Sequence, residues 1–262
     1  MMSRMASYPL LLALICALLP APAAHAEEVV RAYNSYGGAP YVMGKQGLAP
    51  ELVSYLNRKL KDQYQFRLVN LPRRKLNQLM AAPAGLDGVA LFLSPAFVGD
   101  VPRQRFHWSP AIIEDSNAVV SRIDNPVRDT TPEALTGLRF AGIIGNRYPG
   151  IDERIGKGIR RDNGPDAASN LRKLVRGEAD FTVLPLSSYR FLRRQLDREG
   201  QLAGQLHVAD RPHMQFTRHF VLAHGNSALA REIDRVAAAM PCDPDWRRIA
   251  ERHHFTTATG CR

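Results

Sequence analysis

The side chains able to start a reaction lack the companions that reaction would need. No serine lies in a Gly-x-Ser-x-Gly elbow, no segment reads His-Glu-x-x-His, and the cysteines and histidines form no spaced metal-binding cluster. Eight histidines include the neighbours His253 and His254, but adjacent side chains cannot easily share one ion, so neither a metal nor a cofactor is expected. Glu114 and Asp115 are the one acidic pair to weigh for proton transfer, and hydrogen bonding within a connecting segment is the commoner use of such a pair. The chain is therefore read as a non-enzyme. What it has in surplus is positive charge, +10 formally. The arginine pairs Arg73–Arg74, Arg160–Arg161, Arg193–Arg194 and Arg247–Arg248 lie far apart, with no aromatic-interleaved strip between them, so a nucleic-acid partner is not expected. A basic surface also suits acidic solutes.

The elements that would position these residues follow from the apolar spacing. Residues 1–26 have the makings of a cleavable export signal: Arg4, an apolar run from Pro9 to Leu19, and Ala24-His25-Ala26 as a small-x-small cleavage site. The run is too short to span a bilayer. Cys16 leaves with the signal, and the two remaining cysteines, Cys242 and Cys261, are expected to bond to each other in an oxidising compartment. From residue 27 onward strand and helix signals alternate, which predicts an α/β architecture. Val29–Ala32 reads as a strand, followed by a Gly- and Tyr-rich loop over Tyr33–Gly47. Leu48, Leu52, Leu56 and Leu60 then mark one helix stripe. Strands are expected at Phe66–Leu71, Gly88–Ser94, Asn117–Arg122, Arg139–Ile144, Phe181–Leu184, Leu206–Ala209 and His219–Ala223. Helices are expected through Leu76–Met80, Leu171–Val175, Ser187–Leu196, Leu229–Met240 and after the cap Asp243-Pro244, and a short one at Thr131-Pro132-Glu133 that Gly137 stops.

Four stretches in this order resemble the periplasmic solute-binding proteins of polar amino-acid uptake systems. They are GLAPELVSYLNRKL (Gly47–Leu60), LDGVALFLSP (Leu86–Pro95) with Phe106-His107-Trp108-Ser109-Pro110 downstream, EALTGLRFAGIIGN (Glu133–Asn146), and LRKLVRGEADFTVLPLSSYRFL (Leu171–Leu192). The resemblance covers nearly all of the chain after the signal. It implies the two-lobed type II fold with two interlobe crossovers. Lobe one would hold residues 27–115 and 217–262, and lobe two residues 116–216. The chain would be a periplasmic monomer that hands a small solute to an inner-membrane ABC permease. The same fold implies two alternatives, a periplasmic dehydratase-like enzyme and an accessory protein for a membrane sensor or a periplasmic dehydrogenase.

The resemblance also implies where a ligand would sit. Tyr33, Tyr36 and Tyr41 fall where the family places an aromatic wall, with Tyr41 preferred. Ser94 falls where it offers a hydroxyl. Arg103 is preferred over Arg105 as the arginine that forks onto a carboxylate. Gly145, Asn146 and Arg147 follow a lobe-two strand and are expected to open a helix whose backbone N–H groups receive an anion. Arg73 and Arg74 open the second helix on the cleft side, with Arg74 preferred. The family's usual acid for a ligand ammonium is missing from Phe181-Thr182-Val183-Leu184-Pro185, and Asp180 reads as structural. A small anionic or amino-acid-like solute is accordingly expected, with an anion lacking an ammonium favoured.

Overall fold

The chain folds as two α/β lobes joined by two long strands that lie side by side. A computed structural model describes residues 27–82, 85–202 and 204–260. The export signal expected at 1–26 and Cys261 of the expected disulfide lie outside the described residues. The strands are β1 (Glu28–Asn34), β2 (Tyr64–Asn70), β3 (Gly88–Leu93), β4 (His107–Trp108), β5 (Ile113–Arg122), β6 (Arg139–Ile143), β7 (Arg160–Gly164), β8 (Phe181–Pro185), β9 (Leu206–Val208), β10 (Met214–Leu222) and β11 (Thr256–Thr257). The helices are α1 (Leu48–Lys59), α2 (Arg73–Ala81), α3 (Pro95–Val98), α4 (Ala167–Val175), α5 (Leu186–Arg198), α6 (Ser227–Ala239) and α7 (Pro244–Arg252). None of the described helices is long and apolar enough to cross a membrane.

The strand order is β2-β1-β3-β10-β5-β8-β6-β7. In lobe one, β2, β1 and β3 are parallel and β10 closes the sheet antiparallel to β3. In lobe two, β8, β6 and β7 are parallel and β5 runs antiparallel to β8. The crossovers are β5 and β10 themselves. Residues Met214–Arg218 pair with Asn117–Ile113, and from His219 onward the same strand pairs with β3 and β4.

Each sheet is covered on both faces. In lobe one, the Leu48, Leu52 and Leu56 stripe of α1 packs with Ile233 of α6 and Trp246 of α7 against Val89 and Leu91. Leu76 and Met80 of α2 cover the opposite face with Tyr33, Phe106 and Trp108. In lobe two, Leu171 and Leu174 of α4 and Leu192 and Leu196 of α5 cover one face, while Phe140, Tyr148, Ile151 and Phe181 cover the other. The caps behave as their sequences suggest. Asp166 accepts the amide of Ser169, and Asp243 accepts those of Asp245 and Trp246.

Three local expectations need correction. Thr131–Gly137 forms consecutive turns instead of a helix, because four residues between a proline and a glycine give too few intrahelical bonds to offset nucleation. Gly145–Arg147 does not open a helix. Gly145 has φ +82 and lies in a turn, and the chain reaches a 3₁₀ turn only at Asp152–Arg154. Strand β7 was not expected, since its polar sequence Arg-Arg-Asp-Asn-Gly carries no apolar alternation. It pairs as an edge strand with β6, where such composition is tolerated.

Candidate ligand-binding cleft

Between the lobes lies a cavity of about 610 Å³, walled by strand ends and the loops beyond them. Lobe one contributes the β1–α1 loop, the start of α2 and Phe97 of α3. Lobe two contributes the β6 turn, the start of α4 and the end of β8. The crossover strands supply Asn117 and Arg218.

The β1–α1 loop is fixed by its own polar groups. Asn34 donates to Asn70 Oδ1 and to the Tyr36 carbonyl, and its Oδ1 accepts the Tyr36 amide. Gly47 closes the loop at φ +119, in van der Waals reach of the Tyr41 carbonyl. A Cβ there would lie 2.5 Å from that oxygen. This arrangement stacks the rings of Tyr36 and Tyr41 at 4.4 Å, with Tyr41 also edge-on to Phe92 and Phe255.

Arg218 sits beneath these rings and is fully buried. Its guanidinium lies 4.8 Å from the Tyr36 ring centre, 5.5 Å from that of Tyr41 and 4.9 Å from that of Phe216. Nη1 donates to the Tyr36 hydroxyl at 2.8 Å and to the Phe92 carbonyl at 3.0 Å. Phe92 turns that carbonyl inward because β3 bulges there. Its φ is +62, and the pairing with β10 slips by one residue between Leu93 and Ala90. Nη2 lies 3.8 Å from Asp115 Oδ2, an acid that also accepts from the amide of Ser116 and from the Ser187 hydroxyl. Burial alone would lower the Arg218 pKa, but Tyr36, Tyr41 and Asp115 outweigh it, and the group is held above its ordinary value and charged.

Arg73 also packs on the Tyr36 ring, 5.2 Å from its centre, and is 6 % exposed. Burial would push the Tyr36 phenol up, yet the charges of Arg218 and Arg73 prevail and hold it below the usual tyrosine value. The Nε and Nη1 of Arg73 and the Nε and Nη2 of Arg218 are buried without a hydrogen-bond partner. Such donors are costly unless something accepts from them.

Of the residues expected at a site, Tyr36, Tyr41, Arg74, Asn146 and Arg147 line this cavity. Arg74 and Arg147 are exposed near its mouth. The other four lie off it. Tyr33 is the penultimate residue of β1, not part of the loop, and its hydroxyl donates to Asp87 while burial and that bond push its pKa up to about 12. Ser94 is buried at the N-cap of α3. Arg103 has φ +57 in an exposed turn, with Nη2 3.4 Å from His219 Nε2. Gly145 faces α2 across the mouth. A Cβ on it would lie 3.1 Å from the Arg74 amide nitrogen, and its carbonyl accepts from Asn77 at 3.4 Å. Arg147 reaches across in the same way, toward Gly99. Asp180 is engaged with the side chain and amide of Arg139. Glu114 accepts from the amide and hydroxyl of Thr259.

Arg218 was missed by sequence reasoning, although a signal existed. It is the one full charge within the mostly apolar run Phe216–Leu222, and a charge in a strand of that kind is a buried group wanting a partner.

No protein-family profile matches the chain, and no curated protein does. Solved structures do. A histidine kinase sensor domain with similarity to periplasmic binding proteins superposes with a TM-score of 0.67 at 19% identity, over 90% of this chain and 99% of that one. A putative L-cystine ABC transporter protein from Listeria monocytogenes gives 0.67 at 14% identity, over 87% and 96%. The substrate-binding protein of an amino-acid ABC transporter gives 0.64 at 14%, over 86% and 98%. With two lobes, two strand crossovers and a cleft between them, the chain has the type II periplasmic-binding-protein fold.

Proposed function

We propose that this chain is a periplasmic solute-binding protein that captures a small organic anion between its lobes and delivers it to an inner-membrane ABC-type permease. In this reading residues 1–26 are a cleaved export signal, residues 27–115 and 217–262 form lobe one, residues 116–216 form lobe two, and the monomer is locked near its end by a Cys242–Cys261 disulfide. Binding, with no chemical conversion of the solute, is the activity.

The observation that carries the proposal is the charge balance of the cleft. Four arginines line it, Arg73, Arg74, Arg147 and Arg218, against one carboxylate, that of Asp166, which caps α4. A solute bearing negative charge meets opposite charge in a partly desolvated space, where a charge-assisted bond is stronger than in water. Closure follows as a population shift, since a ligand touching both lobes favours the state that brings both onto it. A sensory role is the second reading, supported by the likeness to a histidine kinase sensor domain.

Thermal-shift screening tests the anion. At a hundred times its Kd a ligand contributes about 2.7 kcal/mol, which raises the midpoint by roughly 5–10 °C in a protein of this size. Carboxylates should produce such shifts, and lysine and arginine should not. Stabilisation by the cationic amino acids alone would refute the charge argument.

A further inference from the structure

The four arginines of the cleft are not equivalent. Arg74 and Arg147 are exposed at the mouth, whereas Arg73 and Arg218 are buried at its floor and flank one aromatic ring, that of Tyr36. The floor pair carries four buried N–H-bearing nitrogens with no acceptor in the protein. Asp115 stands 3.8 Å from one of them, beyond hydrogen-bonding reach, and its oxygens are already engaged by Ser116 and Ser187. Two guanidiniums packed on one ring repel each other, and an anion bound beside them relieves that repulsion.

Acceptors for a ligand ammonium are outnumbered in the cleft, where one carboxylate, Asp166, faces four arginines and already gives one oxygen to the cap of α4. The Asn34 and Asn70 side chains bond to each other. The cleft walls beyond the floor are largely hydrocarbon, including Phe97, Ile143, Val183 and Leu184. An ammonium set against that hydrocarbon would lose hydration that the wall itself does not replace.

We propose that Arg73 and Arg218 form the anchor for a ligand carboxylate, and that the ligand carries no ammonium and lays an apolar body against the lobe-two wall. This deepens the solute-binding reading and rests on it. The planar forks of two arginines match the oxygens of a carboxylate. The Tyr36 ring packs against both guanidiniums and holds them at the cleft floor. The mouth arginines draw anions inward without selecting their shape.

Three matched pairs differing only in the ammonium separate the possibilities: 4-methylpentanoate and leucine, 3-phenylpropionate and phenylalanine, glutarate and glutamate. Isothermal titration calorimetry on the whole mature protein, stripped of copurifying solute by refolding, reads each affinity. The expected result is binding of 4-methylpentanoate or 3-phenylpropionate at least tenfold tighter than its amino-acid counterpart and tighter than glutarate. Arg73→Met and Arg218→Met should each weaken that binding at least a hundredfold. Should Arg218→Met not fold, Arg73→Met decides, because Arg73 opens helix α2 at the cleft and is not part of a sheet. Amino acids binding tighter than their partners would overturn the ligand class while leaving solute capture standing. Glutarate binding alone would overturn the apolar body. If Arg73→Met keeps full affinity, the anchor is wrong, and if none of the six solutes binds, both this inference and the solute-binding reading fail.

Discussion

Replacing Arg218 by methionine asks whether a fully buried charge at the crossover holds the fold or serves the ligand. The structure supplies both sides of the balance. Methionine forfeits the two charge-assisted hydrogen bonds to the Tyr36 hydroxyl and the Phe92 carbonyl, about 1.5–3 kcal/mol each. It also removes two buried donors that have no acceptor, each costing about 1–3 kcal/mol, and relieves the desolvation of a guanidinium. Its unbranched chain retains the packing between Tyr36, Tyr41 and Phe216. Asp115 is not stranded, because Ser116 and Ser187 still donate to it. The opposing sums cancel to within about 2 kcal/mol, so the urea midpoint of ligand-free protein should barely move while carboxylate affinity collapses. A loss of more than about 4 kcal/mol in the ligand-free state would show that Arg218 is a structural tie between the lobes and refute the reasoning.

Asp100 accepts from the amides of Gln104 and Arg105 and from the Trp108 indole, and these bonds outweigh burial to hold its carboxyl below the ordinary aspartate value. Its stabilisation is therefore complete above the unfolded pKa of about 3.9 and fades as pH falls through the lower folded value. Asp100→Asn should cost about 1–2 kcal/mol from pH 5 to 7 in urea titrations, with the gap to the parent closing below pH 4. A gap that widens in acid would contradict the assignment. Gly145→Val strains the φ +82 turn in either state and, when the lobes meet, also adds bulk against the Arg74 amide and the Arg73 side chain. Affinity for whichever carboxylate binds should fall about fivefold or more, equivalent to about 1 kcal/mol charged to the closed state. Unchanged affinity would mean that the bound state keeps the lobes further apart.

The sequence was most legible where one physical signal acted alone. The leucine stripe of α1, the apolar run of β3 and the Asp243-Pro244 cap all fold as their patterns predict, because burial and capping are local demands. Strand β7 and the Thr131 turns were opaque for opposite reasons. The first is made by a neighbour's edge and has no signal of its own, and the second has a sound cap signal on a segment too short to use it. The site was half legible. Arg74 and Arg147 were identified from helix starts and strand ends, but depth is a property of packing between distant elements. Nothing in the spacing of Arg103 places it in an exposed turn beside His219, and nothing near Arg218 in sequence announces that Tyr36, 182 residues away, would take its proton donor.

The interleaved strand order also dictates how the molecule can assemble. Apart from β10, every strand paired to the lobe-two sheet before the terminal bridge β11 comes from one continuous stretch, β5 through β9, so that half can complete itself from neighbouring chain. The other half cannot. Its sheet waits for β10, whose His219 pairs with Leu93 across 126 residues, and its main core waits further for Ile233 and Trp246. Loop closure of that span is paid before any of those contacts form, so the earlier-synthesised half is the later one to mature. Until it does, the all-apolar strand β3 has one edge bare and one face covered by α1 without α6 and α7, a surface open to pairing with other copies of the chain.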